Sequence, residues 1–145
     1  MKRSTGLRNY MLATGSFKAA MDGKIIKVYA GTAPASADDA IGAATLLCTI
    51  SVDGAGTGVT MEAVPSSGTL SKNTSEIWTG DVVANGTATF FRMQTAADDG
   101  SFSTSAVRLQ GTVGLVGADL NFSSVTLTIG DARRINYFVA SISAG

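Results

Sequence analysis

The feature that most constrains the fold is a repeated alternation between short apolar segments and clusters of turn-forming residues. Within the segments, apolar side chains tend to recur at every second position, as in residues 24–30 (KIIKVYA), which is typical of β-strands. The pattern predicts seven or eight strands, drawn from residues 24–30, 45–52, 59–64, 76–80, 87–94, 107–113, 120–129 and 135–142. Such short, frequent strands predict an all-β fold, an antiparallel β-sandwich that is jelly-roll-like.

Two local signals between the strands carry their own predictions. Asn85-Gly86 is the strongest two-residue turn signal and predicts a hairpin turn into the strand at residues 87–94. Ser36 is a good helix N-cap, and it precedes two carboxylates that would complement a helix dipole, so a short helical turn is predicted at residues 37–40.

The first 23 residues follow a different, helical periodicity. Leu7, Tyr10 and Met11 are spaced to share one helix face, and Phe17, Ala20 and Met21 repeat that spacing. Ser4 or Thr5 can cap the first helix, Gly15 should end it, and Ser16 can cap a second. With 145 residues in all, a single core is expected. The predicted organisation is a helical N-terminal arm (residues 1–23) and a β-sandwich domain (residues 24–145).

Charge is unevenly distributed between these parts. The first 27 residues carry six basic residues and one acidic residue, a net charge of +5, and the whole chain is neutral, so the remainder carries −5. The arm is therefore expected to dock onto protein, either its own domain or neighbouring copies, more than onto DNA. We expect assembly contacts from the side chains of Leu7, Arg8, Tyr10, Met11, Phe17, Lys18 and Met21. Deletion of residues 1–22 should then leave a folded sandwich that does not assemble.

Most enzyme chemistry is excluded by composition. The chain has no histidine and one cysteine, Cys48, which removes Ser-His-Asp and Cys-His nucleophile pairs, His-based metal sites and thiolate zinc sites within one chain. Cys48 lies in an apolar segment and is expected to fill the core. The paired carboxylates Asp38-Asp39 and Asp98-Asp99, with Asp119 and Asp131, lie in predicted turns, where aspartate commonly bonds nearby backbone amides. We expect no catalytic residues, no cofactor and no metal.

Pairs of adjacent aromatic residues predict apolar surface on both faces of their strands. Phe90-Phe91 and Tyr137-Phe138 must place one ring on each side of their strands. The outward ring of each pair is expected to be covered by the arm or by a neighbouring subunit. Aromatic side chains also line sugar-binding surfaces, so a carbohydrate-binding module for host attachment is the alternative, with Trp78 as its natural test residue. An enzyme that uses its aspartate pairs is a more remote alternative.

The N-terminus carries no clear targeting signal. Lys2-Arg3 precede an apolar stretch, but Gly15 and polar residues interrupt it before a continuous h-region forms. No apolar run reaches the length that crosses a bilayer. Neither export by a signal peptide nor a membrane partner is expected, and synthesis in a bacterial cytoplasm is compatible with the single cysteine.

Three segments resemble a family of small virion structural proteins of tailed phages and prophages. Residues 4–18 (STGLRNYMLATGSFK) are similar to the N-terminal segment of that family. Residues 26–38 (IKVYAGTAPASAD) are similar to its I-Y-x-G-x-x-P-A-x-A-D pattern, and residues 108–114 (RLQGTVG) with 117–121 (GADLN) to Q-G-T-V-G … G-A-D-L. The resemblance implies a virion component, present in many copies at the head surface or the neck and collar, or along the tail. Its partners would be copies of itself and capsid, portal-proximal or tail proteins.

Overall fold

Residues 1–144 are described by a computed structural model, and strands dominate them. Two helices, α1 (Thr5–Ala13) and α2 (Phe17–Met21), follow the first strand. The strands are β1 (Lys2–Arg3), β2 (Ile25–Ala30), β3 (Thr45–Val52), β4 (Thr69–Ser71), β5 (Trp78–Asp81), β6 (Gly86–Thr87), β7 (Phe90–Gln94), β8 (Leu109–Gly114), β9 (Leu120–Asn121), β10 (Thr126–Leu127), β11 (Ala132–Ile135) and β12 (Val139–Ser141). The predicted all-β fold with a short helical N-terminal segment is confirmed.

One large antiparallel sheet forms the first layer. Its strand order is β1-β8-β7-β2-β3-β5-β11, and β9 adds to β8 in parallel. Two small antiparallel sheets, β4 with β12 and β6 with β10, lie outside it. Within residues 1–144 the large sheet has open edges at β1 and β11, so the architecture is a sandwich and not a closed barrel.

The core lies on one face of the large sheet. Val28 in β2 is opposite Phe91 in β7 and Cys48 in β3, and all three side chains are fully buried. The second layer contributes Phe138, whose ring centroid lies 5.8 Å from that of Phe91 and 5.9 Å from that of Trp78. Edge-to-face and tilted aromatic contacts of this kind stabilise a core beyond the area they bury. Both helices also contribute side chains to the same core.

Several predicted strand boundaries change for identifiable reasons. The strand at residues 45–52 is confirmed as β3, whereas residues 120–129 and 135–142 each divide into two short strands, and residues 59–64 form only isolated bridges. No helix forms at residues 37–40, where Ser36 and Asp39 close a turn through side-chain hydrogen bonds instead. Trp78 belongs to β5, which lies between β3 and β11 inside the large sheet.

The prediction of a hairpin turn at Asn85-Gly86 is wrong. Neither residue has a positive φ, and Gly86 pairs with Leu127 in the small β6–β10 sheet. A β-carbon at Gly86 would lie 2.9 Å from a methyl carbon of Leu47. Close packing, not turn geometry, therefore requires glycine at this position.

Candidate functional site

The N-terminal segment is attached to the large sheet through a buried serine. β1 pairs with β8, and Ser4 caps α1 with its Oγ accepting from the amide of Leu7 at 3.0 Å. The same Oγ accepts from the amide of Arg108 at 2.9 Å and donates to the carbonyl of Ala106 at 2.7 Å. One side chain thus starts the helix and fixes it to the strand beside it. A β-carbon at Gly6 would collide with the backbone oxygens of residues 105 and 106, so the helix approaches this loop as closely as a backbone can.

The apolar arm residues face inward, which corrects the prediction that they contact neighbouring subunits. Leu7 and Met21 have no exposed surface, Phe17 is buried, and all three belong to the central core. The helical spacing correctly predicts one apolar helix face, but this face packs against the core of the same chain. Residues 1–23 are therefore an integral part of the sandwich and not a separate arm.

The other predicted contact residues are only partly available. Tyr10 and Met11 are half-buried against the core. Lys18 donates to Asp22 at 2.6 Å and to the carbonyl of Met61 at 2.9 Å, so its charge is already paired. Arg8 is exposed and donates to Thr5 within its own helix. Of the seven predicted contacts, Arg8 alone belongs to the exposed residues.

A buried polar network occupies the outer face of the large sheet. Arg92 donates to Oε1 of Gln110 on the neighbouring strand at 2.6 and 3.2 Å and to the carbonyl of Asp39 at 2.9 Å. Arg108 forms two hydrogen bonds of 2.6 Å with the carboxylate of Asp98, and the two side chains are only 1% and 7% exposed. Arg108 is thus paired with a buried carboxylate, whereas the neighbouring Arg92 is bonded only to neutral amide and carbonyl oxygens, an arrangement whose stability depends on complete hydrogen bonding.

The loop of residues 31–44, here called the covering loop, lies over this network. Gln110 donates to the carbonyl of Pro34 at 2.8 Å, and Thr5 donates to the Asp38 carboxylate through its amide at 2.7 Å and its hydroxyl at 2.6 Å. On the same face of the sheet the rings of Tyr29 and Phe90 stack at 5.0 Å and are buried. The outward Phe90 is therefore covered within this chain and does not depend on a second subunit.

Residues from three distant segments, 4–18, 26–38 and 108–121, meet at this network. Thr5 belongs to the first, Asp38 to the second and Arg108 to the third, and Arg108 also approaches the carbonyls of Ala37 and Asp38 at 3.4 Å. Residues far apart in sequence are thus shared by one hydrogen-bonded structure, which positions loops and strands.

The carboxylates predicted to lie in turns do so. Gly100 and Ser101 donate their amides to Asp98 and Asp99 at 2.9 Å, and Ser36 donates its amide to Asp39 at the same distance. Within residues 1–144 no three His, Cys, Asp or Glu side chains group as potential metal ligands. Burial raises the pKa of the Cys48 thiol to about 11, so the free cysteine is protonated at neutral pH.

Four partly buried carboxylates acquire lowered pKa values, and this predicts how stability depends on pH. Burial alone would raise the pKa of Asp98, but hydrogen bonds from Arg108 and Gly100 outweigh it and hold that pKa below its ordinary value. Hydrogen bonds likewise outweigh burial and lower the pKa of Asp38, Glu76 and Asp119. Such groups stabilise the fold above the pKa of the unfolded chain, about 4, and lose that contribution as the pH falls.

We therefore expect the free energy of unfolding to be level from about pH 8 to pH 5 and to fall steadily between about pH 4 and pH 2. The level region follows because the chain has no histidine to titrate within it. Urea denaturation measured at one-unit pH intervals tests this. A stability maximum near pH 4 would contradict the assignment of these carboxylates as stabilising when ionised.

The turn between β8 and β9, here called the β8–β9 tip (residues 115–117), presents apolar side chains outward. Leu115 is 61% exposed and Val116 is 87% exposed. Its base is rigid, because Asp119 accepts from the amide of Thr112 at 2.9 Å and Phe122 donates its amide to the carbonyl of Gly114 at 2.9 Å. An apolar pair held away from the core on a rigid turn is a feature of protein contact surfaces.

A second apolar feature is a shallow groove of about 400 Å³ between α2, the 63–70 turn and β12. Phe17, Leu70 and Ala140 form its buried side, and Ile142 stands at its edge with half of its surface exposed. Sequence reasoning missed this groove, since its residues come from three distant segments. The β8–β9 tip was not predicted either, because a short apolar segment beside a strand does not show whether its side chains face the core or solvent.

Trp78 is fully buried and donates from Nε1 to Glu76 at 2.7 Å. Its position in the core removes the tryptophan on which the carbohydrate-binding alternative was based. Tyr137, in contrast, has 77% of its surface exposed, while the adjacent Phe138 is buried. The expectation that the two rings of this pair face opposite ways is confirmed, and Tyr137 has no cover from residues 1–144.

Comparisons with known proteins do not assign a function. A scan of family models, a search of curated proteins and a search of solved structures each returned no match. Among the described residues, no helix is both long enough and apolar enough to cross a membrane.

Proposed function

We propose that the chain is a structural subunit of a tailed-bacteriophage particle. In this proposal it assembles in many copies at the head surface or the neck and collar, through contacts with itself and other virion proteins. The exposed apolar β8–β9 tip carries the proposal. Leu115 and Val116 cost solvation free energy in a lone molecule, and burial against a neighbour would recover about 25 cal/mol per Å² of apolar surface.

Further points support this role. Asp98 and Asp99 accept hydrogen bonds within a turn, and Asp98 also forms a buried ion pair with Arg108, so the hydrogen-bonding capacity of these carboxylates serves the fold. Three segments of the sequence resemble virion proteins, and their residues meet in one network. Many weak, repeated contacts in a symmetric particle add up, so a small apolar tip on each copy is sufficient for stable attachment.

The double substitution Leu115→Ser and Val116→Ser tests the tip. Both side chains are exposed, so the free energy of unfolding should change by no more than about 0.5 kcal/mol. Incorporation into particles should fall at least tenfold, as measured by quantitative mass spectrometry of purified particles made with the variant gene. Leu12→Ser, a change at a residue that is 85% exposed on α1, is the matched control and should incorporate normally.

Two results would count against the proposal. Normal incorporation of the double variant would show that the tip is not the contact surface. Absence of the wild-type chain from purified particles of the phage or prophage that encodes it would overturn the virion role itself. Copy number then separates the two locations, since hundreds of copies indicate head decoration and about a dozen to a few dozen indicate the neck.

A further inference from the structure

A polar groove of about 470 Å³ lies between the β9 segment and the chain from β11 to β12. Its walls include Asn121, Arg133, Arg134, Asn136 and Tyr137. The volume lies in the range of ordinary small-ligand sites. The groove is separate from the β8–β9 tip and from the apolar groove, and neither the network nor the core uses its exposed side chains.

The groove has an excess of positive charge. Neither Arg133 nor Arg134 forms an ion pair within residues 1–144. Arg133 is held in place because Nη2 donates to the carbonyl of Thr126 at 3.2 Å, while its buried Nε has no partner among the described residues. The carboxylate in the wall, Asp119, is already satisfied by Thr112 and by the N-terminal amino group at 3.0 Å. Unused guanidinium donors favour a ligand that carries a carboxylate or another planar anion.

The groove also has a fixed aromatic platform. Phe138 is anchored in the core against Phe91 and Trp78, and the adjacent Tyr137 has 77% of its surface exposed. An exposed ring beside polar side chains suits a ligand that is apolar on one face and polar around its edge. A pyranose ring has this character, and the carboxylate of an acidic pyranose also matches the exposed guanidinium of Arg134, which forms no ion pair within residues 1–144.

We propose that this groove binds an acidic saccharide, with Tyr137 stacking against a sugar ring and Arg134 pairing with its carboxylate. The proposal is independent of the virion role. If the chain is found in particles but binds no saccharide, only the saccharide proposal fails. If it binds acidic saccharides but is absent from particles, only the virion proposal fails.

The experiment is a titration of the full chain on an array of defined sialylated, uronic-acid-containing and neutral oligosaccharides, with an apparent Kd measured for each. Wild type should bind acidic members at least tenfold more tightly than their neutral counterparts. Tyr137→Ala should weaken binding to all of them about tenfold. Arg134→Gln should weaken acidic members about ten- to a hundredfold and leave neutral members unchanged.

Phe102→Ala and Arg8→Gln are the matched controls, because both residues are exposed and lie outside the groove. Both should bind like wild type. The proposal is overturned if wild type binds no acidic oligosaccharide, or if the controls lose affinity as the groove variants do. Tighter binding of a polyglutamate peptide than of any saccharide would also overturn it and assign the groove to an acidic protein segment.

Discussion

A chain that lacks residues 1–22 is expected not to fold into a stable sandwich. The deletion removes the buried side chains of Leu7, Phe17 and Met21 from the core and strand β1 from the edge of the large sheet. Truncation of one such side chain costs about 2–5 kcal/mol, and the whole stability of a domain is about 5–15 kcal/mol. Circular dichroism and proteolysis of the truncated chain should show loss of cooperative unfolding.

A pair of single substitutions within α1 makes the same test without removing backbone. Leu7→Ala should lower the free energy of unfolding by about 2–5 kcal/mol, because Leu7 has no exposed surface. Leu12→Ala should change it by no more than about 0.5 kcal/mol, because Leu12 is exposed. Equal effects at the two positions, or a truncated chain that unfolds cooperatively with native-like stability, would restore the view of residues 1–23 as a detachable arm.

Substitution of Asp98 by asparagine is expected to destabilise the fold by about 3–5 kcal/mol. The change preserves shape but leaves the buried guanidinium of Arg108 without its counter-ion. The effect is increased by Arg92, whose pKa is lowered first by burial and then by the neighbouring Arg108 cation. Urea denaturation at pH 7 measures the loss.

Asp99→Asn is the control for this experiment, since Asp99 is adjacent in sequence but exposed, and it accepts only the amide of Ser101. Its effect should stay near 0.5 kcal/mol. If the two variants differ by less than about 1 kcal/mol, the Arg108–Asp98 pair is not what holds the loop of residues 95–107 to the sheet. A shallower low-pH decline in the Asp98 variant would be a second, independent signature of the pair, since Asp38, Glu76 and Asp119 still contribute theirs.

Local sequence patterns predicted much of the fold because local chemistry decides it. Period-two alternation located β2 and β3 nearly to the residue, since both strands have one face in the core. Ser4 and Ser16 cap their helices as their position before an amphipathic segment predicted. Turn aspartates bond nearby amides for reasons contained in a few adjacent residues.

The features that the sequence did not predict depend on residues distant in the chain. Helical periodicity predicts that Leu7 is buried, but it does not show whether its own sandwich or another subunit buries it. Phe90 is buried within the chain, and the covering loop bonds to Arg92 and Gln110 on the same face of the sheet, but nothing in residues 31–44 alone predicts these bonds. Asn85-Gly86 carries a turn signal, yet close packing against Leu47 overrides it.

The buried Ser4 determines when this protein can fold during its synthesis. Its Oγ can accept from the amide of Arg108 only after 104 more residues have been synthesised. Arg3 can donate to the carbonyl of Ser141 only after 138 more. At about 5–20 residues per second, the ribosome needs roughly 5–20 s to deliver the first of these partners. For that time the apolar face of α1 stays in solvent or on a chaperone, and closure of the core comes as a late, cooperative event.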